Sequence, residues 1–312
     1  MHSKSLKQYP SEMNYTKEQI KDIICSIKQA GWLELPENWK DKDGGGGEYI
    51  QHDHFHVKVN PQKIADLGSY ELKTHRSTVN SLITLGSIDP KDNSRGSLLL
   101  PLLLEYGFPY KNGAISDYKC ELAQNGKPCK HVKYNYPGGL CYPPDELALG
   151  VDICGKNVTD APQNNWGFYL EINKKEKRIV IHFDSTRTSL ENKYQQWLET
   201  LKTRNGLRDI DKKYSLSFDE VEKYCKKKFH NMVFVKYSEK KDGKKKFIKI
   251  EDAYFLEDFD FSKFLDALEN GSVMYELRLH GNTKRISKNH GTGFRMFEEN
   301  FTAIYSKIES ID

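Results

Sequence analysis

The stretch Asp66-Leu-Gly-Ser-Tyr-Glu71-Leu-Lys73 is the most informative part of this sequence of 312 residues. Its second half alternates apolar and charged residues, which is the period of a half-buried β-strand. Residues i and i+2 of a strand share a face, so Glu71 and Lys73 are predicted to point the same way. The glycine and serine before them predict a turn that brings Asp66 toward the same face.

Two carboxylates beside a lysine suit the hydrolysis of a phosphodiester. Mg²⁺ takes oxygen ligands and usually keeps several waters. A bound metal can make a nucleophile of such a water and stabilise the charge that develops on phosphate. The lysine could orient that water or hold the phosphate. In a chain with 29% charged residues, the same spacing also arises by chance on a solvated strand edge.

Size and composition predict a globular protein with a large core, in one domain of two lobes or in two domains. Hydrophobic residues make up 37% of the chain. The segment Met1 to Lys7 has no apolar core, so no secretory signal is predicted. The longest apolar stretch, Leu98 to Leu104, is interrupted by Pro101 and is shorter than the ~20 residues that span a bilayer. We therefore expect a soluble, cytoplasmic protein.

Positive charge is concentrated in the last third of the chain. Residues 212–249 contain 13 lysines against five acidic residues, a net charge of +8. Residues 278–295 add five basic side chains and no carboxylate. A basic face is typical of a protein that binds a polyanion. The alternative is a lysine-rich surface that serves solubility alone.

The pattern of elements predicts an α+β fold with a central sheet. Thr16 to Gln19 is a capping box that begins a helix, and a second helix is predicted over 262–270. Hairpins are predicted over 166–183 and around Asp242-Gly243. The four glycines at 44–47 predict a mobile loop near a ligand.

Four of the six cysteines lie in the loop-rich segment from about 110 to 165. These are Cys120, Cys129, Cys141 and Cys154. A structural Zn²⁺ would explain them, because a cytosolic set of disulfides is not expected. No pair has the Cys-x₂-Cys spacing of a zinc knuckle, so ordinary thiols are the competing interpretation.

Two separated motifs resemble the MvaI/BcnI family of type II restriction endonucleases, in the MutH-like branch of the PD-(D/E)xK nucleases. The first runs from Asp66 through Lys73-Thr-His-Arg76 to Pro90 and Arg95-Gly96. The second is Lys288-Asn-His-Gly-Thr-Gly-Phe-Arg295, which is similar to the family's His-Gly-Thr-x-Phe-Arg signature. The segment 110–165 is longer than its counterpart in the family.

The resemblance implies a role for each of these residues. Asp66 and Glu71 would ligate Mg²⁺, Lys73 would assist the attacking water, and Glu48 would match an acid that precedes the core strand. His290 and Arg295 would read base edges, and His75 and Arg76 would contact phosphate or a base. The full set of residues expected to contact DNA is His75, Arg76, Arg95, Lys288, Asn289, His290, Thr292 and Arg295.

The resemblance also implies a restriction endonuclease-like core, with a central mixed sheet flanked by helices. Its two lobes would form a DNA cleft. Residues 1–205 would form a catalytic lobe and residues 206–312 a recognition lobe. The expected reaction is Mg²⁺-dependent cleavage of double-stranded DNA at a short, GC-rich, near-palindromic site, leaving 5′-phosphate and 3′-hydroxyl ends. Such an enzyme would act in a prokaryotic cytoplasm, with a monomer favoured over a dimer and a cognate DNA methyltransferase in its system.

The sequence is also compatible with two alternatives. One is a MutH-like endonuclease that nicks a single strand during repair. The other is a zinc-stapled nucleic-acid-binding protein without catalysis, which would not need the complete set of Asp66, Glu71 and Lys73.

Overall fold

A computed structural model describes the chain over residues 14–57, 64–78, 81–92, 96–111, 114–115, 147–158, 167–184, 214–281, 286–289 and 292–312. Within these residues the α-helices are α1 Lys17–Ala30, α2 Glu37–Lys40, α3 Gly45–Tyr49, α4 Leu99–Tyr106, α5 Phe218–Lys228 and α6 Phe261–Asn270. A π-helix covers Ile50–His54 and a 3₁₀-helix covers Glu298–Ala303. In the described part of the chain, no helix is long and apolar enough to cross a membrane.

Strands make up most of the remaining described structure. They are β1 Leu33–Glu34, β2 Glu71–Arg76, β3 Ile83–Ser87, β4 Lys91–Asp92, β5 Gly96–Ser97, β6 Phe108–Lys111, β7 Ala114–Ile115, β8 Leu147–Ile153, β9 Phe168–Asn173, β10 Arg178–Phe183, β11 Ser215–Ser217, β12 Met232–Asp242, β13 Lys245–Phe259, β14 Met274–Gly281, β15 Ile286–Asn289, β16 Gly293–Met296 and β17 Tyr305–Ser310. The predicted α+β class with a mixed sheet is confirmed.

The chain forms two compact units, each assembled from separated stretches. Unit 1 combines 1–83, 223–261 and 304–312, and unit 2 combines 84–222 and 262–303. The boundary predicted between residues 205 and 206 lies outside the described residues. The assignment of a catalytic and a recognition role to two successive lobes therefore stays a prediction.

Unit 1 contains a five-stranded mixed sheet in the order β1-β13-β12-β2, with β17 also paired to β13. β2 runs parallel to β12, with Glu71 opposite Met232 and Lys73 opposite Phe234. The other pairs in this sheet are antiparallel. The hairpin predicted around Asp242-Gly243 is confirmed, since β12 and β13 pair up to the turn at those residues.

Helix α1 covers this sheet because its apolar residues follow the helical period. Ile20, Ile24 and Ile27 are buried in one core with residues of β2, β12 and β13. The predicted capping box is present: the Thr16 side chain accepts from the backbone N–H of Gln19, whose side chain accepts from the backbone N–H of Thr16. This box satisfies two of the backbone donors that a helix start leaves unpaired.

The prediction of a mobile loop at the four glycines is wrong. Gly45, Gly46 and Gly47 form the buried first turn of α3. A Cβ added to Gly46 would lie 2.6 Å from the Tyr237 ring, and one added to Gly47 would lie 2.5 Å from Thr74 Oγ1. The glycines therefore allow a helix backbone to lie directly against β12 and β2, where side chains would keep it away.

Unit 2 contains a three-stranded sheet, β11-β10-β9, and a larger sheet in the order β3-β16-β14-β8-β6-β7, with β15 also paired to β14. The predicted hairpin over 166–183 corresponds to β9 and β10, which pair along their full length. The predicted helix over 262–270 is α6, and Gly271 follows it with φ +86°. This positive φ is the left-handed conformation that commonly ends a helix at glycine.

Candidate active site

The two residues predicted to share one face of a strand lie at the start of β2. Lys73 donates from Nζ to Oε1 of Glu71 at 2.7 Å. The Glu71 side chain is only 1% exposed, whereas that of Lys73 is 21% exposed. The predicted shared direction is therefore observed, and it places an ammonium group directly on a buried carboxylate.

Asp66 is linked to this pair by a residue that the motif does not contain. Lys228, the last residue of α5, places its Nζ 2.7 Å from Oε2 of Glu71 and 3.4 Å from Oδ1 of Asp66. The same ammonium donates to the backbone carbonyl of Ile64 at 2.9 Å. Both oxygens of Glu71 thus contact a lysine, and Lys228 connects the two carboxylates.

The electrostatics of this cluster follow from its burial. Loss of water around Glu71 raises the pKa of its carboxyl group above the ordinary value. The charge of Lys73 lowers this pKa, the nearby Asp66 raises it, and Lys228 lowers it again. A buried carboxylate of this kind is stable in its charged form only while a cation compensates it.

The donor set of this cluster fits a hard divalent cation. Oxygens of Asp66 and Glu71, together with the Ile64 carbonyl, converge on one positively charged group, the ammonium of Lys228. Carboxylate and carbonyl oxygens are the ligands that Mg²⁺ and Ca²⁺ prefer. Among the described residues, no group of three or more His, Cys, Asp or Glu side chains is placed to hold a metal. The candidate site therefore rests on two carboxylates.

Glu48 lies on α3 and does not join Asp66 and Glu71 in a three-carboxylate group within the described structure. Its side chain is 47% exposed and contacts Nε2 of His52 at 2.9 Å. The helix is nevertheless close to the candidate site: Gly47 abuts Thr74 of β2, and Gln51 donates to Thr74 Oγ1 at 3.0 Å. Glu48 thus stands on an element that packs beside the strand of Glu71.

His75 and Arg76 continue β2 past the candidate site. The His75 ring lies 6.1 Å from that of Phe234 on the neighbouring strand. Arg76 forms ion pairs with Glu239, Nε to Oε2 at 3.0 Å, and with the exposed Asp43 at 3.3 Å. Arg76 is therefore held by acidic side chains of its own unit.

The second motif lies in unit 2, and part of it lies outside the described residues. Arg295 contacts the buried Glu276, Nη1 to Oε1, at 2.5 Å. Thr292 is fully buried. Lys288 and Asn289 belong to β15. Arg95 and His290 lie outside the described residues, and the roles of all these residues in DNA binding stay predictions.

The zinc prediction receives no support from the described residues. Cys154 is buried at the end of β8, while Cys120, Cys129 and Cys141 lie outside the described part of the chain.

The basic segment is partly neutralised by acidic residues of unit 1. Two acids outside the segment 212–249 form such pairs: Glu34 with Lys245 at 2.8 Å and Glu251 with Lys249 at 3.4 Å. The sequence count of +8 for residues 212–249 therefore overstates the charge that this segment presents to a ligand.

Sequence reasoning missed Lys228, which it counted only as part of the basic segment. A signal was present, because Val221, Cys225 and Lys228 have the spacing i, i+4, i+7. This spacing defines one face of a helix, and Val221 and Cys225 are fully buried. A lysine on such a face is expected to meet a buried acid.

A sequence profile of the MvaI/BcnI restriction endonuclease family matches residues 144–305, which is about half of the chain. The matched span includes Lys228, Glu276 and Arg295, whereas Asp66 to Lys73 precede it. No curated protein matches the chain at a significant level.

Two solved structures of the endonuclease MvaI match the chain. The one described as "Restriction endonuclease MvaI-cognate DNA substrate complex" has 18% identity and a TM-score of 0.64, covering 96% of this chain and 100% of that chain. The one described as "Restriction endonuclease MvaI in the absence of DNA" has 18% identity and a TM-score of 0.45 at the same coverage. The first likeness confirms the restriction endonuclease-like fold.

Proposed function

The chain belongs to the MvaI/BcnI restriction endonuclease family, and we propose that it is a type II enzyme that cuts both strands of DNA with Mg²⁺. The observation that carries this proposal is the contact of Lys73 with the buried Glu71, next to Asp66, at the start of one strand. A protein that only binds DNA has no need of this cluster. The proposed activity is hydrolysis at a short, GC-rich, near-palindromic site.

Asp66 and Glu71 would hold the Mg²⁺. The bound ion would supply Lewis-acid chemistry, which stabilises negative charge on the scissile phosphate and makes water more acidic. Glu71 is held at Oε1 by Lys73 in the described structure, so its carboxylate is positioned before substrate binds. Preorganisation of this kind avoids rearrangement during the reaction.

Lys73 would orient the attacking water or carry part of the phosphate's charge, since its ammonium is at the partly exposed edge of the cluster. Attack on phosphorus in line with the leaving oxygen, without a covalent enzyme intermediate, would leave 5′-phosphate and 3′-hydroxyl ends. Exposed basic residues of the segment 212–249 would bind phosphates, with an affinity that falls as salt increases.

His75, Arg76, Arg95, Lys288, Asn289, His290, Thr292 and Arg295 are the proposed DNA contacts. Arginine donors suit the O6 and N7 acceptors of guanine, which agrees with a GC-rich site. The enzyme would work in a prokaryotic cytoplasm beside a methyltransferase of the same specificity, and a monomer would cut the two strands in separate events.

The test is cleavage of unmethylated phage DNA by the purified protein, with Mg²⁺ and with EDTA. Discrete fragments in Mg²⁺ alone are expected, and their sizes would begin to identify the site. Lys73→Ala should stop cleavage and retain most specific binding in a gel-shift assay, because the residue acts on the reacting water or phosphate. Lys175→Ala, at an exposed residue of the β9–β10 turn, is the matched control and should cut normally.

Cleavage by Lys73→Ala at the wild-type rate would overturn the assignment of the active site. A supercoiled plasmid that stops at the open-circle stage would instead indicate a nicking enzyme. DNA binding without any metal-dependent cleavage would overturn the catalytic proposal altogether.

A further inference from the structure

The Lys228 ammonium group contacts several oxygen atoms of unit 1. Its side chain is 15% exposed, and its Nζ is surrounded by three oxygens: Oε2 of Glu71 at 2.7 Å, the Ile64 carbonyl at 2.9 Å and Oδ1 of Asp66 at 3.4 Å. Each of these oxygens carries full or partial negative charge. The arrangement is a small oxygen cage around one positive charge.

This cage uses the same atoms that a divalent cation would need. A cation shared by Asp66 and Glu71 has to contact one oxygen of each carboxylate, at 2.0–2.6 Å for Mg²⁺ or Ca²⁺. Oε1 of Glu71 is already paired with Lys73, which leaves Oε2 as the oxygen that faces Asp66. Lys228 Nζ contacts this oxygen and Oδ1 of Asp66, so it lies between the two carboxylates.

The ammonium and the metal cannot occupy this position together. Two cations a few ångströms apart in a poorly hydrated site repel each other strongly. In the absence of metal, however, the ammonium stabilises the site, because it compensates Asp66 and the buried Glu71. Lysine suits this use, since its charge is compact and its long side chain can withdraw.

We propose that Lys228 is a tethered cation that occupies the metal position of the resting enzyme and must be displaced when Mg²⁺ binds. The inference rests on the proposed function, because it takes Asp66 and Glu71 as the metal ligands. It assigns to Lys228 a positioning role: the lysine keeps the two carboxylates together without metal and lowers the affinity of the DNA-free enzyme for metal. The apparent affinity falls in proportion to the fraction of molecules whose site is open.

The test is metal binding by the full chain without DNA, measured by isothermal titration with Mn²⁺. Lys228→Met keeps the length of the side chain and removes its charge, so it should bind Mn²⁺ about tenfold more tightly than the wild type, or better. Lys228→Arg retains the charge and should bind close to the wild-type level. Lys227→Met, at the exposed neighbouring residue of α5, should bind as the wild type does.

Thermal melting provides a second readout that does not depend on activity. Lys228→Met should melt below the wild type without metal, because two carboxylates are left with less compensation. Mn²⁺ should then raise its melting temperature by more than it raises that of the wild type, since a ligand stabilises according to its affinity for the folded state.

The outcomes separate the inference from the proposed function. If the wild type and Lys228→Met bind Mn²⁺ equally, and Asp66→Asn abolishes binding in both, the metal site stands and the role of Lys228 is overturned. The same conclusion follows if Lys228→Arg binds as tightly as Lys228→Met. If neither the wild type nor Lys228→Met binds Mn²⁺, the metal site of the proposed function fails and the inference fails with it.

Discussion

Arg295 holds the buried carboxylate of Glu276, with Nη1 2.5 Å from Oε1. Glu276 is 4% exposed, and the same oxygen also accepts from Nε of Arg278 at 2.6 Å. Burial raises the pKa of Glu276, whereas the charges of Arg295 and Arg278 lower it. The arginine proposed to read a base is therefore also a structural partner of an internal acid, and a substitution there acts on both functions.

Arg295→Ala should lower stability and discrimination between DNA sites together. Removing one partner of a buried ion pair costs roughly 3–5 kcal/mol, and we expect the loss to be about 2 kcal/mol here because Arg278 still compensates Glu276. Chemical denaturation measures the stability. Gel shifts with cognate and random duplexes measure the discrimination, which should fall by more than binding to random DNA does.

The double variant Arg295→Met/Glu276→Met separates the two effects. Apolar residues of similar volume often replace a buried ion pair without loss of stability, so stability should recover toward the wild type while site discrimination stays low. Arg278→Ala is the control, because its side chain is 48% exposed and its loss should cost less than about 1 kcal/mol. Recovery of discrimination in the double variant would argue against base reading by Arg295.

Protonation of Glu257 should make unit 1 less stable in acid. Burial alone would raise the pKa of Glu257, but hydrogen bonds from Lys17, Lys307 and Tyr70 lower it to about 2. An acid with a lowered pKa stabilises the fold above its ordinary pKa of 4.5, and this contribution is lost as pH falls toward 2. At about 1.4 kcal/mol for each pKa unit, it amounts to roughly 3 kcal/mol at neutral pH.

Glu257→Gln should therefore lose about 3 kcal/mol of unfolding free energy at pH 7 and show a flatter dependence between pH 4.5 and 2. Urea unfolding at a series of pH values measures both. Glu309→Gln is the matched control, since Glu309 shares Lys17 at 2.9 Å but is 43% exposed, and its effect should be clearly smaller. Parallel pH profiles for the wild type and Glu257→Gln would contradict the stabilising role of this carboxylate.

Local sequence signals predicted much of the sheet and of α1. The capping box at Thr16, the Asp-Gly turn between β12 and β13, and the alternation around Glu71 each depend on neighbouring residues alone. Their geometry is therefore encoded within a few positions. The same period also predicted that Glu71 and Lys73 point the same way, because residues two apart on a strand share a face.

The glycine helix α3 could not be predicted in this way. Glycine has a low intrinsic helix propensity, so the sequence favours a loop at residues 44–47. The helix forms because Gly46 and Gly47 lie against Tyr237 and Thr74, residues that are remote in sequence. Tertiary packing therefore determines this element, and the neighbouring residues in the sequence do not predict that packing.

The candidate site was predictable only in part for the same reason. Asp66, Glu71 and Lys73 come from one short stretch, whereas Lys228 reaches them from a helix much later in the chain. Charge counting treated Lys228 as one of many surface lysines. The helical stripe with Val221 and Cys225 indicates a buried position, but it does not identify the acids that Lys228 meets.

Gly46→Ala should destabilise the enzyme, because α3 packs closely against the sheet. In a free helix this change would be favourable by about 1 kcal/mol. Here the added methyl would lie 2.6 Å from the Tyr237 ring and 2.8 Å from Ile248 Cγ2, two buried side chains, so overpacking should cost about 1–3 kcal/mol. Because α3 carries Glu48, a shift of this helix should also reduce cleavage if Glu48 acts in catalysis. In that case Glu48→Gln should reduce cleavage without loss of stability. Gly150→Ala is the control, since nothing lies within 4 Å of its added methyl, and it should melt as the wild type does. A Gly46→Ala protein as stable as the wild type would mean that α3 does not pack on the sheet as described.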